Sequence, residues 1–203
     1  MRIVRDLINR AIRHVAPARS KEHWFSAERW NHSWSHGYNL NSLNEDARYG
    51  TVVAWMYRHE GDGPLLDVGC GDGLLEERYR KVSTTPIVAF DYSSTAIERA
   101  QARHLPDVEF FCADSREFRP RGRFSVAVLN ESLYYVDDYL EVMENVAQAL
   151  TAEGVFIVSM LDTLITRRMW KNLKRSYVVL HGVVLKDEAT GGLWHVRLLR
   201  PRK

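Results

Sequence analysis

Beyond position 63 the sequence alternates between apolar, β-rich runs and helical patterns. The predicted strands cover 64–69, 86–90, 108–112, 124–129 and 154–160, and the predicted helices cover 72–81, 93–104, 137–150 and 162–175. Short links between successive strand–helix units require parallel strands with right-handed crossovers, which place helices on both faces of the sheet. The alternation therefore predicts an α/β fold built on one mainly parallel sheet.

The pattern changes after position 175. Two strand-like runs, Tyr177–Lys186 and Leu193–Arg200, are joined by a turn-rich stretch from Asp187 to Gly192. This spacing is typical of a β-hairpin. Five strands of the alternating part and two of the hairpin predict a seven-stranded sheet.

A glycine-rich loop, Gly69-Cys70-Gly71-Asp72-Gly73, stands where the first predicted strand turns into a helix. Glycines allow backbone conformations that other residues avoid, and they let a ligand approach the chain closely. A dinucleotide site would need a glycine where Leu74 stands, and no Gly-Lys-Ser/Thr follows, so neither the dinucleotide pattern nor a P-loop fits.

Two aspartates follow the next two strands. Asp91 closes the second strand, 18 residues beyond Gly73, where its carboxylate can accept both hydroxyls of a ribose. Asp114 follows the third strand, where it can accept a hydrogen bond from an adenine amine. Either aspartate could instead cap the next helix. Because both share the carboxyl edge of the sheet with the glycine loop, we predict a nucleoside-binding site there.

These motifs and the terminal hairpin resemble the class I S-adenosylmethionine-dependent methyltransferases over residues 44–203. The resemblance implies a Rossmann-like seven-stranded sheet of order 3-2-1-4-5-7-6 with the last strand antiparallel and helices on both faces. It also implies S-adenosylmethionine as cofactor, S-adenosylhomocysteine as product, and no metal. The cofactor-binding residues would lie in the glycine loop and at the strand ends: Asp67, Gly69, Cys70, Gly71, Gly73, Asp91, Tyr92, Asp114, Ser115 and Asn130.

The fourth strand delivers Asn130-Glu131-Ser132-Leu133-Tyr134-Tyr135 to the same edge, where a methyl acceptor would sit. Methyl transfer needs alignment of acceptor, methyl and sulfur, and a base where the acceptor must lose a proton. Glu131 is the first candidate for orienting or deprotonating the acceptor, although it could instead hydrogen-bond the backbone or the N-terminal segment. Tyr134 and Tyr135 would wall the site or pack in the core.

Histidines are the alternative bases. His36 is the second catalytic candidate, with His181 and His195 as further alternatives. His36 belongs to residues 23–38, which carry eight aromatic or histidine side chains and would either cover the cofactor as a lid or pack in the core.

The chain divides at position 43 in our interpretation. Residues 1–43 would hold an amphipathic helix over 2–15 and the aromatic lid, and residues 44–203 would form the methyltransferase domain. A helix from 44 to 59 would be capped by Asn44. Its next turn carries Arg48 and Tyr49, which could reach the carboxylate of the cofactor.

Charge is segregated along the chain although the net charge is only +2. Lys and Arg dominate residues 1–21, 163–175 and 197–203, which could be solvated faces or could contact an anionic acceptor or a membrane surface. No run approaches the roughly 18 apolar residues of a membrane span, and arginines interrupt the one candidate signal sequence. Two cysteines without a CxxC pair suggest neither zinc nor a disulfide framework, so we expect a cytoplasmic protein.

Absent motifs narrow the acceptor. The Asn/Asp-Pro-Pro-Tyr motif of base methyltransferases is missing at 130–133, the second glutamate of arginine methyltransferases is missing, and no acid cluster suggests a magnesium site. The short size and the 130–135 stretch are similar to nodulation-type N-methyltransferases and to small enzymes of polysaccharide and natural-product clusters. We expect an O or N atom of a small metabolite or glycan as acceptor and no nucleic acid partner. An RNA or protein methyltransferase and a non-catalytic binding protein remain the alternatives.

Overall fold

The computed structural model describes residues 26–38, 41–119 and 122–202. The helix predicted over 2–15, the basic segment 1–21 and the first aromatic residues of 23–38 lie outside the described residues.

Seven strands form one sheet of order β3-β2-β1-β4-β5-β7-β6. In chain order they are β1 (Leu65–Val68), β2 (Ile87–Asp91), β3 (Val108–Cys112), β4 (Phe124–Asn130), β5 (Leu150–Leu161), β6 (Tyr177–Lys186) and β7 (Leu193–Pro201). The first five pair in parallel, and β7 runs antiparallel to both β5 and β6. The predicted fold class, strand order and hairpin are confirmed.

Six α-helices and one 3₁₀ turn accompany the sheet in the described part of the chain. They are α1 (Ala27–Ser35), α2 (Leu43–His59), α3 (Leu74–Tyr79), α4 (Ser94–Gln101), the 3₁₀ turn (Leu133–Tyr135), α5 (Tyr139–Gln148) and α6 (Leu164–Ser176). None of these helices is both long and apolar enough to cross a membrane.

Several element boundaries differ from the sequence prediction, and one helix was not predicted. Helix α2 begins at Leu43 with Ser42 in the capping position, so Asn44 lies inside the helix and the predicted cap is wrong. Strand β5 begins at Leu150, four residues early, because it pairs with Phe124 beyond a register shift. The aromatic segment contains helix α1, whose first turn is capped by the side chain of Ser26.

The core has two layers, one on each face of the sheet. Neighbouring residues of a strand point to opposite faces, so Leu65 packs with α2, α3 and α4, whereas Leu66 packs with α5 and α6. In β4, Val126 and Val128 face the first layer, and Ala127 and Leu129 face the second. Because both faces are buried, the central strands read as continuous apolar runs rather than as alternating ones.

Gly73 joins the edge of the sheet to α3. It has a φ of +78°, and a Cβ added there would lie 2.9 Å from Cζ of Phe110 and 3.2 Å from Cβ of Ala100. The residue therefore combines a left-handed backbone with close packing of the loop against α4 and β3.

We expect Gly73→Ala to lower the free energy of unfolding by about 2–4 kcal/mol, because strain and overpacking add. Gly191 has a φ of +72° with no atom within 4 Å of its added Cβ. Gly191→Ala should therefore cost only the backbone strain of about 1–2 kcal/mol. Urea denaturation of the two variants measures the difference, and equal losses would contradict the packing argument.

Candidate functional site

A cavity of about 420 Å³ lies at the carboxyl edge of the parallel strands. Nine of the ten predicted cofactor residues line it: Asp67, Gly69, Cys70, Gly71, Asp91, Tyr92, Asp114, Ser115 and Asn130. Gly73 does not line the cavity, because its role is the packing described above. Side chains of α1, namely Trp30 and Trp34, close the opposite side.

The glycine loop is held between two other elements. A Cβ on Gly71 would lie 2.9 Å from the indole ring of Trp34, and a Cβ on Gly69 would lie 2.4 Å from Cβ of Ser132. The Ser132 hydroxyl also donates to the carbonyl of Val68 at 2.6 Å. Only glycines let the loop pass between α1 and the β4 tip, and this close approach is what shapes the floor of the cavity.

Asp91 connects the glycine loop to the second strand. Its Oδ2 accepts the Gly71 N–H at 2.9 Å, and its Oδ1 accepts the Ser93 N–H at 2.8 Å. Burial raises the pKa of Asp91, and these backbone hydrogen bonds oppose that shift. Each oxygen keeps a second lone pair, so the carboxylate can hold the loop and still accept hydroxyls from a ligand in the cavity.

Asp114 pairs with an arginine that the sequence analysis missed. Arg116 Nε lies 3.0 Å from Oδ1 and 3.1 Å from Oδ2 of Asp114, and the Arg116 N–H also donates to Oδ1 at 2.9 Å. The Arg116 side chain lowers the pKa of Asp114 through these hydrogen bonds. Arg116 lines the cavity too, so the adenine end of the predicted site carries a neutralised carboxylate. The only available signal was a basic residue two positions after a loop aspartate.

Asp67 has a buried partner that the sequence analysis also missed. Asp67 is 1% exposed and lines the cavity, and Glu76 of α3 lies behind it, fully buried. Burial and the neighbouring Glu76 raise the pKa of Asp67 well above its usual range. Asp67 Oδ1 is buried and accepts no hydrogen bond from the described residues.

Arg48 fastens α2 to the β4 tip. The buried guanidinium bonds to the Asn130 side-chain oxygen and forms an ion pair with Glu45. Arg48 does not line the cavity, whereas Tyr49 does. These contacts assign Arg48 to holding Asn130 in place, and the predicted contact with the cofactor carboxylate stays without support in the geometry.

Glu131 lines the cavity at the end of β4, with a left-handed φ of +59°. Its Oε1 accepts from the Ser159 hydroxyl at 2.7 Å, and its Oε2 accepts from the Tyr134 hydroxyl at 2.9 Å and the Leu161 N–H at 3.1 Å. Burial raises the pKa of Glu131, and the nearby Arg48 lowers it. The carboxylate therefore connects the β4 tip to β5, as in the alternative noted from the sequence.

Aromatic side chains form the outer wall of the cavity. Trp30 stands edge-on to Tyr135 at 4.8 Å between ring centroids and to Tyr38 at 6.0 Å, and Trp34 stands 4.8 Å from Tyr38. Helix α1 is fixed by Asn31, whose Oδ1 accepts from the Ser93 hydroxyl at 2.6 Å. All four rings line the cavity, so the aromatic segment contributes directly to the site.

The three histidines considered as bases, His36, His181 and His195, are not among the residues that line the cavity. His36 is exposed, its Nδ1 lies 2.8 Å from the His32 carbonyl oxygen, and its ring stacks on that of His32. His195 faces Asp162 at 3.4 Å, and His181 contacts Trp55. His36 is not among the residues that line the cavity; it is exposed just beyond the end of α1, whose buried residue is Trp34.

The lining of the cavity is acidic. Its ionisable carboxyls are Asp67, Asp91, Asp114, Glu131 and Asp137, and its one cationic side chain in the described chain is Arg116, already bound to Asp114. The basic residues of α6 do not line the cavity, since Thr166, Met169, Trp170 and Leu173 form its buried face. The possible contact of segment 163–175 with an anionic acceptor therefore has no support from the lining of this cavity. Within residues 26–38, 41–119 and 122–202, no group of three His, Cys, Asp or Glu could hold a metal ion.

Residues 46–197 match the family of methyltransferase domains. The chain belongs to this family. Together with the strand order, the match confirms the predicted membership of the class I S-adenosylmethionine-dependent methyltransferases, whose methyl donor is S-adenosylmethionine.

Curated relatives share part of this methyltransferase domain. A ubiquinone biosynthesis O-methyltransferase of Rhodopseudomonas palustris is 29% identical over 118 residues, which cover 56% of this chain and 44% of that protein. A trans-aconitate 2-methyltransferase of Escherichia coli is 33% identical over 133 residues, which cover 64% and 51%. The chain spans about half the length of the curated relatives it matches.

Solved structures share the fold. The N-methyltransferase NodS of Bradyrhizobium japonicum, in complex with S-adenosylhomocysteine, superimposes with a TM-score of 0.70 at 17% identity, covering 85% of this chain and 99% of that one. At this identity the likeness concerns the fold alone.

The hydrogen bonds of Glu131 predict a graded loss of stability. Glu131→Leu should lower the free energy of unfolding by about 3–5 kcal/mol, because the Leu161 N–H and the buried Arg48 lose a partner. Glu131→Gln should cost only about 1–2 kcal/mol, since an amide oxygen can still accept from Leu161 and Tyr134. Chemical denaturation checks both, with the exposed Glu141→Leu as control at under about 0.5 kcal/mol. Equal losses for the two Glu131 variants would contradict the assigned hydrogen bonds.

Proposed function

We propose that this methyltransferase binds S-adenosylmethionine in the cavity at the carboxyl edge and transfers its methyl group to an uncharged or cationic small-molecule or glycan acceptor. The observation that carries the proposal is Asp91, which holds the Gly71 N–H and faces the cavity with lone pairs to spare. The methionine part of the cofactor would lie on the same floor of the cavity. Two features fit it there: the glycine loop allows close approach, and Asp67 has a buried oxygen without a hydrogen-bond partner.

Each end of the cofactor has complementary residues in this proposal. Asp91 accepts the ribose hydroxyls, and the loop carrying Asp114 and Ser115 borders the adenine. Asp67, Gly69 and Gly71 border the methionine part, and Asn130 lies beneath it. The bound cofactor supplies an electrophilic methyl group on a sulfonium ion. The chain contributes alignment, which in well-oriented reactions removes up to ~7–11 kcal/mol of the barrier.

The acceptor enters between the aromatic wall and the β4 tip. Trp30, Tyr38 and Tyr135 present ring edges and faces there, and Glu131 and Asp137 add negative charge. Aromatic faces and carboxylates attract cations and tolerate neutral hydroxyls, whereas an anionic acceptor would find no unpaired cation among the described lining residues. We therefore assign an amine or hydroxyl acceptor rather than a carboxylate.

Glu131 acts on the acceptor through position in this proposal. Three hydrogen bonds occupy its two oxygens, yet it borders the cavity, so it can orient an ammonium or hydroxyl by accepting one more hydrogen bond. Burial raises the pKa of Glu131, which makes its carboxylate a stronger proton acceptor than an exposed one. His36 is left out of this role, because it does not line the cavity.

Helix α1 serves as a lid over the cofactor. Trp34 is 3% exposed and touches the glycine loop, and Trp30 and Tyr38 close the acceptor side. The division at residue 43 stays part of this proposal, in which α1 covers the site and α2, whose first residue is Leu43, leads into the sheet-bearing domain.

Helix α6 offers a separate basic surface. Arg168, Lys171 and Arg175 are exposed on the side opposite its buried face. If the chain contacts an anionic membrane, this surface is the described part that would do so, and it would leave the acidic cavity open to the acceptor.

Calorimetry with S-adenosylhomocysteine tests the cofactor site. We expect binding by the wild type and a loss of about 100-fold or more for Asp91→Ala, because a carboxylate that accepts two hydroxyls contributes charge-assisted hydrogen bonds of about 1.5–3 kcal/mol each. The exposed Asp62→Ala is the control and should bind like the wild type. Normal binding by a folded Asp91→Ala would overturn the placement.

Ion-exchange fractions of a cell metabolite extract test the acceptor class. With S-adenosylmethionine labelled on its methyl group, we expect the label in the cationic or neutral fraction and not in the anionic one, because the cavity lining is acidic. Asp91→Ala serves as the inactive control. Labelled product that derives from an anionic fraction would contradict the assignment.

A further inference from the structure

Two buried carboxyls meet beneath the glycine loop. Asp67 lies on β1, and Glu76 lies in the first turn of α3. They are 1% and 0% exposed, and each carboxyl is a close neighbour that shifts the pKa of the other. Asp67 Oδ1 and both oxygens of Glu76 accept no hydrogen bond from an N–H or hydroxyl of the described residues. A hydrogen bond between two carboxyls requires a proton on one of them.

The surroundings favour keeping that proton. Asp91 of β2 and Asp72 of the loop add negative charge, and Tyr49 of α2 and the buried Cys70 add no cation. Arg103 lowers the pKa of Glu76, but its guanidinium is already bound to Asp72 and Glu77. Arg80 at the end of α3 also faces Glu76. Burial is the largest cause that raises the pKa of both carboxyls, and two carboxyls buried together without a bound cation favour sharing one proton.

The two carboxyls differ in access. Asp67 lines the cavity and Glu76 does not. S-adenosylmethionine carries one cationic hydrogen-bond donor, its ammonium group, because the sulfonium has no proton to donate. An ionised Asp67 is the cavity group that lacks a partner and can receive it.

We propose, building on the function above, that Glu76 is a positioning residue which takes over the shared proton when the cofactor ammonium binds to Asp67. In the empty site the proton lies between the two carboxyls, and the pair carries one negative charge. With the ammonium in place, the proton sits on Glu76, which donates it in a hydrogen bond to the ionised Asp67. No proton enters or leaves the protein, and the pair and the ammonium together are neutral in a buried site.

Three variants separate this role from simple packing. Glu76→Gln keeps a neutral donor to Asp67 and should bind S-adenosylhomocysteine within about threefold of the wild type. Glu76→Leu removes the donor, so Asp67 is buried alone and protonated, and the ligand must expel its proton. The exposed Glu98→Leu on α4 is the control for a lost carboxyl and should bind like the wild type.

Calorimetry between pH 6 and 7.5, in buffers of different ionisation enthalpy, counts the protons. In this range the ligand amino group stays mostly protonated. The wild type and Glu76→Gln should show a flat pH profile and almost no proton release. Glu76→Leu should bind S-adenosylhomocysteine roughly 10–100-fold more weakly than the wild type at pH 6. Binding to this variant should release up to about one proton, so its affinity should rise up to about tenfold per pH unit. Wild-type affinity with a flat profile in Glu76→Leu, or equal weakening by Gln and Leu, would overturn the proposal.

A measurement without ligand keeps the two proposals apart. Above the ordinary carboxyl pKa the unfolded chain has lost its carboxyl protons, whereas the folded pair still binds one. The free energy of unfolding should therefore fall as pH rises through the raised pKa of the folded pair. Glu76→Gln should lessen this fall. An identical slope in the variant overturns the shared proton. Failure of every form to bind S-adenosylhomocysteine, with the slopes as expected, would instead overturn the proposed cofactor site and with it the proton transfer to Glu76.

Discussion

The hydrogen bond from the Gly71 N–H to the Asp91 carboxylate is the interaction on which the site depends. It joins the loop after β1 to the end of β2 and fixes a backbone that passes between Trp34 and Ser132. The same carboxylate faces the cavity. The Asp91 side chain can therefore hold the glycine loop and still accept a hydrogen bond from a ligand, because each carboxylate oxygen accepts more than one hydrogen bond.

Buried charge organises the rest of the carboxyl edge. Arg48 fixes Asn130 and compensates Glu131, and Glu131 in turn holds the β4 tip against β5. These groups are costly to bury alone and stable when paired, so polar contacts hold the β4 tip in addition to the apolar packing of Leu133. The same principle explains the Asp67–Glu76 pair, where a proton takes the place of the missing cation.

The charge segregation seen in the sequence acquires a spatial meaning in the described chain. Acids line the cavity, and the cations of α6 face outward on the other side of that helix. Counting charges along the chain could not separate the two, because the face on which a residue lies follows from helix rotation. His36 illustrates the limit: it stands two residues from Trp34, yet the ring of Trp34 reaches the glycine loop and His36 reaches solvent.

Local pattern in the sequence determined the strands, the helices, the hairpin and the cofactor edge, because periodicity and glycine spacing act over a few residues and the ends of parallel strands must meet. The order of the sheet followed from the resemblance. Only the tertiary structure decided which side chains meet across that edge. Arg48 and Asn130 are 82 residues apart, and Ser159 and Glu131 are 28 apart. Glu76 reaches Asp67 through the turn of the loop. Such contacts depend on how helices rotate and dock on the sheet, and no local spacing encodes that geometry.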